Sequence, residues 1–184
     1  METSTLIIIL AVAVAALVTW IIVQNQRSKH LRKRFGPEYD RALQEQGSKR
    51  RAEALLEKRE ERVEHLKIRP LDPQERERFA EAWRTDQSRF VDDPKQAVIE
   101  ADRLVGELMR VRGYPVSDFD QRAADISVHY PHVVEHYREA HAIAVRQKRG
   151  EAGTEDLRKA MVHYRALFEE LLEANVAEPR GAQR

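Results

Sequence analysis

"DPQERERFAEAWRTDQSRFVDDPKQAVIEADRLVGELMRV", residues 72–111, carries one opening signal twice. At Asp72-Pro73-Gln74-Glu75 an aspartate sits in cap position, a proline follows at the first helical position, and an acid comes three residues after the cap. Asp93-Pro94-Lys95-Gln96 repeats the arrangement with an amide. The cap satisfies otherwise orphaned backbone N–H groups, and proline loses nothing where no intrahelical donor is needed. The spacing predicts helices over 73–90 and 94–112, with Gly113 as a stop.

Working outward, Ser117 to Asp120 gives a weaker start and Thr154 a good cap, while Gly150 is a second stop. These marks predict three further helices, over 118–127, 131–149 and 155–174. Each long segment carries one apolar stripe. Phe79, Trp83 and Phe90 lie on the first, and Ala97, Ala101, Leu104, Val105 and Leu108 on the second. Val133, Tyr137, Ala140 and Ala144 mark the fourth, and Leu157, Met161, Tyr164, Phe168 and Leu171 the last. Stripes of this kind bury only against one another, so residues 70–174 are expected to form a small antiparallel bundle of four to five helices. No stretch alternates apolar and polar residues between turn signals, and the fold class is all-α. Residues 175–184 read as a disordered tail.

Before the bundle the chain changes character. Leu6–Val23, "LIIILAVAVAALVTWIIV", is uncharged; at 1.5 Å per residue it spans about 27 Å, close to a hydrocarbon core of about 30 Å. Trp20 suits the interface. The positive charge follows the apolar run instead of preceding it, the opposite of a cleavable signal peptide. The reading is a single transmembrane helix at 6–23, a short extracytoplasmic segment at 1–5 and a basic juxtamembrane segment at 24–37. Arg27, Lys29, Arg32, Lys33 and Arg34 crowd eight positions there. Basic residues flanking a span stay inside, which predicts residues 24–184 in the cytoplasm of a bacterium, with the five basic side chains against anionic headgroups of its inner membrane. Residues 38–69 read as a solvated helical stalk. Ala52, Leu56, Val63 and Leu66 make about two heptads of seam, enough for a weak homodimer by coiled coil and no more.

The net charge of +1 excludes little by itself, but from Pro70 onward acids outnumber bases by twenty-two to eighteen. A basic folded face is the electrostatic footprint of nucleic-acid binding, so no nucleic-acid partner is expected. With no cysteine, thiol chemistry and Cys-ligated metals are excluded. No phosphate loop, dinucleotide fingerprint or nucleophile triad is present, and no cofactor is predicted.

One motif points to chemistry. "HYPHVVEHYREAH", residues 129–141, contains His132-x-x-Glu135-His136. On a helix, residues four apart emerge about 40° from one another, so two histidines could share a metal and the glutamate could activate its water. A zinc-dependent hydrolase is therefore the alternative function. Against it, Glu135 falls on the charged face opposite the Val133–Tyr137–Ala140 stripe. A third ligand would have to come from Glu155, Asp156, His163, Glu169 or Glu170, and spacing selects none. The histidines His129, His132, His136 and His141 could also form a pH-responsive surface, titrating near about 6.5. The fragment His136-Tyr137-Arg138 recurs as His163-Tyr164-Arg165. Asp86 falls on the apolar stripe of its helix, where partial exposure or an arginine partner is expected. Asp102, Arg103 and Arg110 to Arg112 read as solvated. In "RGYPVSDFD", residues 112–120, Tyr114 and Pro115 are the candidate interaction loop.

Residues 83–168 resemble an uncharacterised bacterial family of short membrane-anchored helical proteins. The similarity is carried by Trp83, Gln87, "RFVDDP" (89–94), "RGYPVSDF" (112–119), "SVHYP" (127–131) and "HYREAH" (136–141). It implies an N-terminal anchor followed by a helical domain and implies no activity. The function expected from the sequence is a membrane-anchored helical scaffold or interaction module with an unknown protein partner.

Overall fold

The computed structural model describes residues 2–115 and 118–173, with side chains from Leu10 onward; the expected Ser117 cap and the expected tail at 175–184 lie outside them. Among the described residues every regular element is a helix and there is no strand. In order these are α1 Glu2–Phe35, α2 Pro37–Gln46, α3 Lys49–Glu64, α4 Pro73–Arg89, α5 Pro94–Val111, α6 Phe119–His129, α7 Val134–Lys148 and α8 Thr154–Glu173. The chain divides into two compact units, Met1–Lys58 and Arg59–Arg184.

In the first unit α1 runs unbroken through the apolar stretch and the basic cluster. Leu10–Phe35 is long and apolar enough to cross a membrane, and Leu10, Val12, Val14, Leu17, Val18, Trp20 and Ile21 to Val23 are all exposed. Gly36, at φ 49, and Gly47, at φ 61, take the left-handed backbone that side chains resist. Gly36 separates α1 from α2, and Gly47 cuts the expected 38–69 stalk into α2 and α3. This stalk is not a solvated rod. Leu31, Phe35, Tyr39, Ala42, Ala52 and Leu56 are buried, Arg27 pairs with Glu57, and Arg32 meets Asp40 at 3.1 Å. The Tyr39 hydroxyl donates to Glu53 Oε1 at 2.8 Å, and burial together with that carboxylate pushes the phenol up to about 12. Ala52, Leu56 and Val63 of the predicted coiled-coil seam are buried within the single chain.

The second unit is the bundle. Its core joins Phe79 and Trp83 of α4, Ala97 to Met109 of α5, Ile126 of α6, Val134 to Ala144 of α7 and Leu157 to Leu171 of α8. Helix α5 packs against α4, α7 and α8, and α7 and α8 form a hairpin. Trp83 stacks on Phe168, ring centroids 4.5 Å apart. Fully burying each such side chain contributes about 1.5–3 kcal/mol before entropy is counted.

The caps explain where the helices begin. Asp72 and Glu75 form the complete reciprocal box, and Asp93 accepts from the Gln96 N–H at 3.0 Å. Helix α6 is capped by Asp118, one residue beyond the expected Ser117, accepting from Gln121 N–H at 2.9 Å. At α8 the reaching side chain is Asp156, which accepts from Gly153 N–H at 3.2 Å; Thr154 is already helical. The largest difference is α7. Pro131 opens a tight turn in which the Tyr130 carbonyl accepts from both Val133 and Val134. The helix therefore starts at Val134, three residues later than predicted, and Val134 replaces Val133 in the core.

Candidate functional site

That delay decides the fate of the histidine motif. His132 is exposed in the turn and not on the helix, so the same-face premise of H-x-x-E-H is lost. Glu135 is exposed and pairs with Arg138 at 3.2 Å. His136 turns toward α8, and its Nδ1 lies 3.0 Å from Nδ1 of His163. The two rings stack at 5.1 Å between centroids. The other nitrogen of His163, Nε2, is 2.9 Å from Glu139 Oε2. Among the described residues, His136, Glu139 and His163 are the three donor side chains that converge, each offering an atom within 4.8 Å of the other two.

The repeated His-Tyr-Arg fragment is the reason for this meeting. Helices α7 and α8 are joined by a five-residue turn, 149–153, which closes with Gly150 at φ 74. The hairpin sets the two copies of the fragment opposite one another. Tyr137 and Tyr164 are buried with an edge-on contact at 6.4 Å, while the adjacent histidines emerge one step outward at the half-buried rim. Glu139, three residues after His136, shares that rim by helical periodicity. His163 is one of the five third-ligand candidates; Glu139 is not among them, although its i+3 spacing from His136 is visible in the sequence.

A second polar feature lies deeper. The Tyr164 hydroxyl donates to Asp102 Oδ1 at 2.9 Å, and His141 Nδ1 stands 3.9 Å from the same oxygen. Burial opposes the Asp102 charge, but His141 and Tyr164 hold its carboxyl below the usual range. His141 stacks on Phe119 at 3.7 Å. Asp102 is thus tied into the core edge and is not a solvated face residue. The predicted pH-responsive patch is also dispersed: His129 contacts Tyr114, His132 is exposed, His136 faces His163 and His141 lies on Phe119.

One expected surface residue is interior, and the candidate interaction loop is packed down by its tyrosine. Arg112 is 1% exposed, not solvated. Its Nη1 donates to the Leu171 carbonyl at 2.9 Å and to the Tyr130 hydroxyl at 2.8 Å, and Nε donates to the Arg69 carbonyl at 3.2 Å. The cation sits at the C-terminal ends of α5 and α8, where helix carbonyls present partial negative charge. Tyr114 of the predicted interaction loop is 2% exposed and hydrogen-bonds His129 Nδ1 at 3.0 Å; burial drives its phenol upward. Tyr114 therefore fastens the loop from within and offers no docking surface, leaving half-buried Pro115 as its only described remnant there. Asp86, in contrast, has neither exposure nor an arginine hydrogen bond. It is 2% exposed, and both carboxylate oxygens lack a hydrogen-bond partner. Burial, with Glu100 nearby, pushes its carboxyl up to about 7.

The last turns of α3 dock on α6. Arg62 pairs with buried Asp125 at 3.2 Å, and Arg59 Nη1 reaches the Ser127 hydroxyl at 3.4 Å. Of the five basic residues assigned to headgroups, Arg27 and Arg32 are engaged by Glu57 and Asp40, while Lys29 and Lys33 are exposed. A groove of about 790 Å³ beside this cluster is lined by Trp20, Arg27, Lys49, Arg50 and Glu53 among others.

Compared with protein-family profiles, curated proteins and solved structures, the chain finds no match.

Proposed function

We propose that this chain is a membrane-anchored helical interaction module, non-catalytic, whose bundle is held at the inner face of a bacterial membrane. The observation that carries the reading is α1: a helix long and apolar enough to cross a bilayer, with its apolar side chains from Leu10 to Val23 exposed. In water that surface is a large unfavourable area, and in hydrocarbon it is at home. The Lys29 and Lys33 ammonium groups, with Lys49 and Arg50 at the neighbouring groove, suit anionic headgroups, and basic residues flanking a span support a cytoplasmic side for the bundle. The hydrolase alternative asks for Glu135 beside a metal-bound water; its pairing with Arg138 favours the interaction reading.

The absence of native cysteine makes sidedness directly testable. A single cysteine at exposed Arg158 should resist a membrane-impermeant maleimide in intact cells and react after lysis. Labelling in intact cells would reverse the orientation. A photocrosslinker on the exposed face of α8, at Val162, should trap a defined protein adduct that persists in Glu135→Gln; hydrolytic activity lost in that variant would restore the enzyme.

A further inference from the structure

We propose that His136, Glu139 and His163 bind one borderline divalent transition-metal ion, zinc first among them, which clamps α7 to α8. The inference holds whether or not the chain is anchored.

The donor set is the first argument. Two imidazole nitrogens and one carboxylate suit zinc, nickel, cobalt or copper, whereas calcium and magnesium require mostly oxygen ligands. Spacing is the second. With metal–nitrogen bonds of about 2.0–2.1 Å, a tetrahedral shell sets its ligand atoms about 3.3 Å apart. The Nδ1–Nδ1 distance of 3.0 Å is already near that value; the Glu139 carboxylate, 2.9 Å from the opposite nitrogen of His163, has to swing to join the same shell. One donor from each residue falls inside 4.8 Å without moving the backbone. The side chain that must travel furthest, Glu139, is also the freest, at 50% exposure.

The backbone provides rigidity. His136 and Glu139 are on one helical face of α7, three residues apart, and His163 comes from the middle of α8. Below them the Tyr137–Tyr164 contact and the surrounding core hold the two helices in register. The rim position leaves access for an ion. Without metal, the Nδ1–Nδ1 contact needs one ring to donate and the other to accept. A metal ion would take both Nδ1 lone pairs once the donating ring moves its proton to its own Nε2.

Three protein ligands leave the fourth tetrahedral place for water or for a donor from another molecule. The site is distinct from the His132-x-x-Glu135-His136 motif, sharing only His136 with it. Different variants therefore separate the two.

The test uses the tag-free full chain in detergent micelles, stripped with a chelator and titrated with zinc against a chromophoric competitor. One zinc per chain is expected, with no competition from equal magnesium or calcium. Glu139→Gln and His163→Gln should each weaken binding at least about tenfold, since even outer-shell partners account for about 10–100-fold. His132→Gln and Glu135→Gln should leave it unchanged. Circular dichroism verifies that each variant keeps its helices, and Glu139→Gln, at an exposed position, keeps the test valid if His163→Gln unfolds. With copper as probe, the electron paramagnetic resonance spectrum should show two nitrogen ligands, and one in His163→Gln. Absence of saturable zinc binding below about 100 µM, a micromolar being the ordinary scale of a modest site, would overturn the proposal. So would equal affinity in Glu139→Gln and His163→Gln, or loss of binding in His132→Gln.

Discussion

Arg112 and Asp86 are both buried charges in one bundle, and they have opposite accommodations. Arg112 lies where two helices end, and its guanidinium donates to two carbonyls and a phenol. Asp86 lies in the last turn and a half of α4, on the same face as Trp83, and its carboxylate accepts nothing. A cation at helix C-termini meets favourable partial charge; an acid near a C-terminus meets the unfavourable sign as well as desolvation. The bundle therefore uses one buried charge as a joint and tolerates the other as a carboxyl that prefers its proton. Burial alone does not tell whether a charge stabilises.

Removing the joint is expected to have the largest effect. Arg112→Ala would strand the Arg69 and Leu171 carbonyls and the Tyr130 hydroxyl, and should cost about 3–5 kcal/mol in urea unfolding. Arg112→Lys keeps the charge but not the planar fork, and should recover only part of the loss. A near-neutral Arg112→Ala would erase the contrast.

Asp86→Asn should act in the opposite direction. The folded-state carboxyl is raised from 3.8 to about 7, so between those values the folded protein holds a proton that the unfolded chain has released. The associated stability is fully present below about pH 4 and is lost as pH rises through 7. At about 1.4 kcal/mol per unit, the swing is on the order of 4 kcal/mol at most. Asp86→Asn should remove this slope and be about 2 kcal/mol or more stabler than the parent at pH 8. Equal pH dependence in the two proteins would show that Asp86 is solvated after all.

Gly113→Ala tests what holds Arg112 in place. Gly113 has φ 99, and an added Cβ would come 2.3 Å from the Lys67 carbonyl oxygen. Strained backbone of this kind costs about 1–3 kcal/mol, and thermal unfolding should report it. The smallest effect belongs to Tyr114→Phe, which loses a single hydrogen bond to His129 and should cost about 1 kcal/mol.

Much of the bundle was legible because its signals are local. Asp72, Asp93 and the glycine stops act on backbone within a few residues, and the stripes of α5 and α8 need only periodicity. Arg112 was misread as solvated because its partners stand 18, 43 and 59 residues away. Asp86 was seen on the apolar face, but the expected arginine contact is an electrostatic pull from Arg89 and Arg103 without a hydrogen bond, and burial outweighs it. The stalk was misread because its few apolar residues, sparse along the chain, close on one another once Gly36 and Gly47 break the helix. At the histidine cluster the motif drew attention to the right helix, but of its three residues only His136 enters the convergent group. Pro131 delays the helix by one turn, and His163, 27 residues on, becomes adjacent to His136 only through the hairpin. The repeated His-Tyr-Arg fragment held that information without announcing it.

The central claim, that α1 anchors the bundle in a bilayer, is tested most directly by alkaline extraction of cell membranes. The full chain should stay with the lipid pellet, and a chain lacking residues 6–23 should move entirely to the supernatant. Release of the full chain by alkali would contradict the account.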